Sequence, residues 1–231
     1  MRNYNFDEQA LAFDRVLPWE GTVKPLQKID GQYYLCLNAP NASSVTYEVQ
    51  EGETAFSKGE DGIWRAPYEA LRTIQYVQLR VDGLEYLSPL LPITYGYSRP
   101  YNYLHVEMPG EEFYEIRDVP HGSVRGELFF SSVTGEWERC MVYTPAVYET
   151  EPERRFPVLY LQHGHGENEI GWIHSGKANL ILDNLIAEEK AVPFIIVMSN
   201  GMVQKVTEDG ERLVDFHLLS DQLINDIIPF I

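Results

Sequence analysis

Residues 157–166 read PVLYLQHGHG. The nearly all-apolar run from Phe156 to Leu161 opens into a loop punctuated by Gly164 and Gly166. Continuous apolar character implies a strand covered on both faces, hence a parallel sheet flanked by helices. In α/β arrangements ligands sit beyond the carboxyl ends of such strands, which makes His163, Gly164, His165 and Gly166 the candidate site loop. Glycines there let backbone N–H groups approach a substrate oxygen with no Cβ in the way. An acyl-transfer enzyme needs two such donors for the oxyanion of its tetrahedral intermediate, and losing one costs about 3 kcal/mol of barrier. The plainer alternative is that the two glycines only make a tight strand-to-loop turn.

Downstream, residues 178–190 (ANLILDNLIAEEK) carry Leu180, Ile181, Leu182, Leu185 and Ile186 with charges at the far end, a helix packed on the sheet. PFIIVMSNG from Pro193 reads as a second buried strand, and Phe216, Leu219, Leu223, Ile227 and Phe230 recur at helical spacing. Strand, helix, strand, helix is an α/β order. Upstream, residues 124–148 read as two antiparallel strands around Thr134-Gly135. Residues 31–106 are short alternating runs of aromatic and β-branched residues, the pattern of a small β-sandwich, with Asp82-Gly83 as a two-residue hairpin turn. A looser Tyr-, Pro- and Gly-rich segment over residues 96–110 puts the domain boundary near Pro109.

The chain has 231 residues, of which 44% are hydrophobic and 13% aromatic, ample for packed cores. Eighteen basic against 35 acidic residues leave a formal charge of -17, which repels nucleic acid and anionic membrane surfaces. The first twenty residues hold Arg2, Asp7, Glu8, Asp14 and Arg15 and lack the apolar core and cleavage site of a signal peptide. No uninterrupted apolar run approaches the ~18 residues of a membrane span. Cys36 and Cys140 stand in no metal-ligand spacing and suit a reduced, cytoplasmic compartment.

The string VLYLQHGHGENEIGWIHSGKANLILDNLIAEEKAVPFIIVMSNG (158–201) resembles the esterase family that includes feruloyl esterases and enterochelin-esterase-like proteins. FYEIRDVPHGSVRGELFFSS (113–132) and Tyr143-Thr144-Pro145 are similar to that family's opening strands. Ala39-Pro40-Asn41-Ala42, Val81-Asp82-Gly83 and Ser88-Pro89 resemble marks of the immunoglobulin-like, glycogen-binding-module-like domain often found ahead of such esterases. The resemblance implies an immunoglobulin-like β-sandwich with an N-terminal extension over residues 1–109, followed over 110–231 by the N-terminal part of an α/β-hydrolase fold. It also implies serine-dependent hydrolysis of a small-molecule or glycan ester, with no cofactor and no metal. Feruloylated sugars, acetylated xylan and a siderophore trilactone are all open as substrates.

In that fold the nucleophile sits on a Gly-x-Ser-x-Gly elbow. None of the eleven serines here has glycine at both flanking positions: Ser98 follows Gly96 but precedes Pro100, and Ser199 precedes Gly201 but follows Val197. Nucleophile, acid and triad His are therefore expected after Ile231, and the given chain is expected to be an amino-terminal portion, inactive alone. The VLYLQ strand would then lack one neighbour, leaving an apolar edge that favours aggregation or completion by a partner. The family usually has Gly or an apolar residue where His165 stands, so this imidazole lines the site or points away from it. Trp172 is a candidate substrate wall for an acyl or aryl group, or ordinary packing.

Three other readings stand beside this one. His163 and His165 with Glu167 and His174 resemble a zinc-ligand cluster of a metal-assisted hydrolase, although Asn168 and Glu169 replace the Asp-His continuation common there. A second reading makes the sandwich a carbohydrate-binding module that stacks sugars on Trp64, Tyr33, Tyr34, Tyr68 and Tyr76, though alternating aromatics in a short sandwich mostly fill its core. A non-catalytic pseudo-esterase is the third. The charged stretch 149–155 (ETEPERR) reads as a solvated loop.

Overall fold

The computed structural model describes residues 23–106 and 108–231, so the reading of the first twenty residues and most of the N-terminal extension lie outside the described residues. The described residues form two compact units, one of residues 23–94 with 100–112 and one of residues 95–99 with 113–231.

The first unit is built on strands β1 (Leu26–Ile29), β2 (Gln32–Asn38), β3 (Val45–Val49), β4 (Gly52–Ala55), β5 (Ser57–Lys58), β6 (Ile63–Tyr68), β7 (Ile74–Val81), β8 (Leu84–Tyr86), β9 (Ile93–Gly96) and β10 (Arg99–His105). They make two sheets, β1-β2-β6-β5 and β4-β3-β7-β10-β9, with β8 paired to β7. Alternation decides what is inside. Trp64, Ala66 and Tyr68 of β6 point inward with Leu35 and Leu37 of β2, and meet Tyr47, Val77, Leu79 and Leu104 of the other sheet in one core. Trp64 donates its indole N–H to Ala39 O at 2.8 Å and Tyr68 its hydroxyl to Gln75 Oε1 at 2.7 Å, so both aromatics are structural. Tyr33, Tyr34 and Tyr76 are half-buried.

The Asp82-Gly83 turn is as the sequence reads it, with φ of 50° and 81° joining β7 to β8. Its aspartate does more than tolerate that conformation. Asp82 Oδ1 accepts the N–H groups of Ser43 and Ser44 at 2.7 and 2.8 Å, tying the β2–β3 loop to the hairpin.

The second unit holds β11 (Ser123–Phe130), β12 (Trp137–Thr144), β13 (Val158–Tyr160), β14 (Ile195–Ser199) and the small hairpin β15 (Gln204–Val206) and β16 (Arg212–Val214). Its helices are α1 (Gly171–His174), α2 (Ala178–Ala187) and α3 (His217–Gln222), the last continuing through a π-helical stretch Leu223–Ile227 and a final turn Ile228–Phe230. Sheet order is β11-β12-β14-β13. β12 runs antiparallel to both its neighbours, and β13 runs parallel to β14. On one face Val124, Met141, Tyr143, Ile196 and Met198 pack against Ile173 of α1 and Leu182 of α2. On the other, Phe129, Cys140, Val142 and Val197 pack against Ile227.

The expected double-sided burial holds for β14 but not for β13, where Val158 and Leu159 are 37% and 42% exposed. Among the described residues β13 is the last strand of its sheet, hydrogen-bonded on one side only, and an edge strand has fewer elements to cover it. The C-terminal helical stripe is likewise only partly covered: Ile227 is buried whereas Phe216 and Phe230 are exposed.

A buried carboxylate fixes α2 to the sheet. Asp183 Oδ1 accepts the Tyr143 hydroxyl at 2.6 Å and the Gly122 N–H at 2.9 Å, and Oδ2 lies 3.0 Å from His121 Nδ1. Gly122 is required because a Cβ there would lie 2.3 Å from the Tyr143 ring and 2.4 Å from Thr144 O. Burial pushes the carboxyl of Asp183 up, opposed by these three hydrogen bonds. No helix among the described residues is long and apolar enough to cross a membrane.

Lys177, which precedes α2 in a left-handed conformation, is 3% exposed, and burial lowers its ammonium to about 7. An unfolded lysine titrates near ~10.4, so between pH 7 and 10 the unfolded chain binds more protons and stability rises with pH. Urea melts should show this rise, at up to about 1.4 kcal/mol per pH unit, and Lys177→Met should flatten it. An unchanged pH slope in the variant would contradict the assignment.

Candidate functional site

The parallel ladder pairs Val158 with Ile195, Leu159 with Ile196 and Tyr160 with Val197, and Leu161 N–H extends it to Val197 O at 2.8 Å. Both strands therefore end at the same level. The loop after β13 and the loop after β14 emerge side by side, and His163 joins them. Its Nε2 accepts the Gly201 N–H at 2.8 Å, which requires an unprotonated nitrogen, so the ring proton sits on Nδ1 and is donated to Gly164 O at 2.7 Å. Glycine is needed at 201, since a Cβ there would fall 2.0 Å from the Gln162 side-chain amide.

The site loop itself is a tight turn. Glu167 N–H donates to Gly164 O at 3.2 Å, and Gly166 takes φ of +78° inside the turn. The backbone of residues 97–98 crosses close by: Ser98 N–H donates to Gly166 O at 2.7 Å, and a Cβ on Gly166 would lie 3.2 Å from Tyr97 Cα. Gly164 N–H points back to the Glu167 carboxylate, Oε2 at 3.0 Å. The N–H groups of His165 and Gly166 have no partner among the described residues.

Of the residues named from sequence, His163 is 9% exposed and serves as the clasp between loops. The His165 imidazole is exposed and lies against Phe216, ring centroids 5.8 Å apart. Trp172 packs on the core cluster beneath α1 and α2, and its indole N–H donates to Gln162 O at 2.9 Å, bracing the loop from below. Glu169 accepts Arg139 Nε at 2.7 Å and so pins the far end of the loop to β12. The zinc reading finds no support in the geometry. Both ring nitrogens of His163 are engaged with backbone groups, and among the described residues no three His, Cys, Asp or Glu side chains converge.

Sequence reasoning placed Glu167 at this loop only as a metal ligand, not as the acceptor of the Gly164 N–H, and it missed Gly201 and Phe216 as parts of this neighbourhood. The Asn200-Gly201 pair at the end of an apolar strand was the available signal for Gly201. Phe216 is brought in by a tertiary contact with no local pattern.

Residues 131–217 match the family model described as a putative esterase. Among individual proteins, the chain is 32% identical over 220 residues to an endo-1,4-beta-xylanase/feruloyl esterase of Xylanibacter ruminicola, covering 91% of this chain and 30% of that protein. The chain thus spans about a third of the length of that curated relative. Among solved structures, enterochelin esterase from Shigella flexneri superposes with a TM-score of 0.55 at 10% identity, over 89% of this chain and 61% of that one. A ferulic acid esterase from Anaeromyces mucronatus, solved in complex with ferulic acid, gives a TM-score of 0.47 at 21% identity over 55% of this chain and 49% of that one. The resemblance to the esterase family is established by the family-model and sequence matches, and the superposition on the Shigella enzyme shows a shared fold.

Gly166→Ala combines left-handed backbone with a crowded Cβ and should destabilise the second unit by about 1–3 kcal/mol. Gly164→Ala meets only the Glu167 side chain, at 3.5 Å, and should cost about 0.5 kcal/mol or less. Chemical denaturation of the two variants checks the ordering, and equal losses would contradict it.

Proposed function

We propose that this chain contributes the oxyanion-binding side of a serine carboxylic-ester hydrolase of the feruloyl or enterochelin type. The observation that carries the reading is the pair of unpartnered N–H groups of His165 and Gly166, on a braced turn at the carboxyl end of a parallel strand. In the proposed reaction a serine hydroxyl attacks the ester carbonyl carbon while a histidine takes its proton. The carbonyl oxygen gains the negative charge and is held by the two amides. The carbonyl re-forms as the alcohol departs with that proton, and water then releases the acid from the acyl-enzyme.

No serine of the 231 residues has glycine on both flanks two positions away, so the reading assigns nucleophile, acid and triad histidine to residues outside this chain. Trp172 supports the loop and offers the uncovered part of its ring as a substrate wall. The two-sheet first unit is read as the immunoglobulin-like domain of the same protein, with the boundary near Pro109 and an incomplete hydrolase domain over 110–231. The free, buried thiols of Cys36 and Cys140 support a reducing, cytoplasmic setting. A second, non-catalytic reading is favoured by one observation: the Gly164 N–H is already held by Glu167.

Turnover of an aryl ester such as methyl ferulate discriminates these readings. The 231-residue chain should give background rates, and a protein extended through a Gly-x-Ser-x-Gly elbow should give turnover abolished by a serine-reactive phosphonate. Phosphonate-sensitive turnover by the 231 residues alone would refute the nucleophile assignment. An extended protein that binds the ester without cleaving it would favour the non-catalytic reading.

A further inference from the structure

We infer that the turn end of the β11–β12 hairpin is a saccharide-binding platform, built on Trp137 and Phe130 and continued by the polar cleft beside them, that takes a neutral glycan chain. Trp137, Leu128 and Phe130 are 71%, 64% and 54% exposed. Cross-strand register makes Phe130 the partner of Trp137 and Leu128 the partner of Arg139, so all four lie on one face of the hairpin. Further along, that same face carries Val124, Met141 and Tyr143 and is roofed by α1 and α2. At the turn end it is bare. A contiguous exposed apolar patch with a polar rim marks a binding surface.

The platform is preorganised. Phe130 and Trp137 meet edge to face, centroids 5.8 Å apart and planes at 76°. The turn beneath them is anchored by Asp226, which accepts the Ser131 and Ser132 hydroxyls at 2.7 and 2.5 Å, and by Thr134 donating to Glu138 at 2.7 Å. Little ordering remains to be done when a ligand arrives.

The neighbouring cleft, about 240 Å³, supplies the chemistry that selects sugar over protein. Trp137 forms one wall, with Glu136, Arg139, Glu169, Asn200 and Arg212 around it. Arg212 is bidentate to Glu136, at 2.8 and 2.6 Å, and Arg139 is paired with Glu169. Such pairs present donors and acceptors to hydroxyl groups without net charge. The formal charge of -17 further disfavours an anionic ligand.

Position links the platform to the candidate site. β12 runs antiparallel to β14 with Cys140 opposite Ser199, so Trp137, Glu138 and Arg139 extend past the carboxyl end of β14, the end from which the His163 loop also emerges. That the bound glycan is the alcohol portion of an ester rests on the function proposed above; the platform itself does not.

Calorimetric titration of the full chain with unesterified xylohexaose tests the platform. Saturable binding is expected, weakened at least tenfold in Trp137→Ala and several-fold in Phe130→Ala, with Trp137→Tyr retaining most of it and all variants melting like the parent. Absence of binding by the parent chain, undiminished binding by Trp137→Ala, or equal binding of an oligogalacturonate would overturn the proposal. So would a dimer in gel filtration that Trp137→Ala dissociates, since the patch would then be a contact between copies. Ester cleavage is not read in this experiment, so its failure leaves the hydrolase reading standing, and loss of ester turnover leaves the platform standing.

Discussion

The pairing of β13 with β14 is the constraint on which the site geometry depends. Parallel register with Tyr160 opposite Val197 ends both strands together, and only then does His163 reach the Gly201 N–H across the gap between their loops. That single clasp sets the direction in which the backbone leaves β13. A slip of the register would turn the side chains of β13 to the opposite face and carry the loop with them. Gly201 enters the same constraint from the other strand, because any side chain there would drive Gln162 out of place.

Polar contacts then hold what the ladder positions. Glu167, Glu169 and the Trp172 indole fasten the loop at three points, and Asp183 fastens α2 to the sheet behind it through Tyr143 and Gly122. Buried polar groups are costly unless every partner is present, so these contacts stiffen the loop as long as they stay complete. A stiff loop is what electrostatic stabilisation requires, since donors that must reorient during the reaction lose most of their advantage. The amides of His165 and Gly166, which have no partner among the described residues, therefore sit on a braced turn, with His165 exposed and Gly166 buried.

Local chemistry was legible in the sequence and tertiary accounting was not. The turns at Asp82-Gly83 and Thr134-Gly135 were readable because positive φ is a property of one or two residues; Gly135 takes +74°. Alternation left Trp64 and Tyr68 open between core and sugar platform, and the structure puts both in the core, whereas the apolar run of β14 announced its burial. The same kind of run misled at β13, where burial depends on whether another element lies alongside. Helix α2 stops at Ala187, before the charged residues the periodicity had included, as Glu189 adopts φ of 58°. The β15–β16 hairpin has exposed residues throughout and no alternation to reveal it. The site loop was found from its glycines and its place after a strand. Its connections to Gly201 and Phe216, and the burial of Lys177, arise only when distant segments meet.

The central claim is that the turn after β13 holds negative charge on an ester oxygen. A crystal structure of an extended, nucleophile-bearing protein inactivated with a phosphonate ester measures this directly. The phosphoryl oxygen should lie about 2.7–3.1 Å from the backbone nitrogen of His165 or Gly166. An adduct whose oxygen is held by other donors, with both of these amides turned away, would contradict the account.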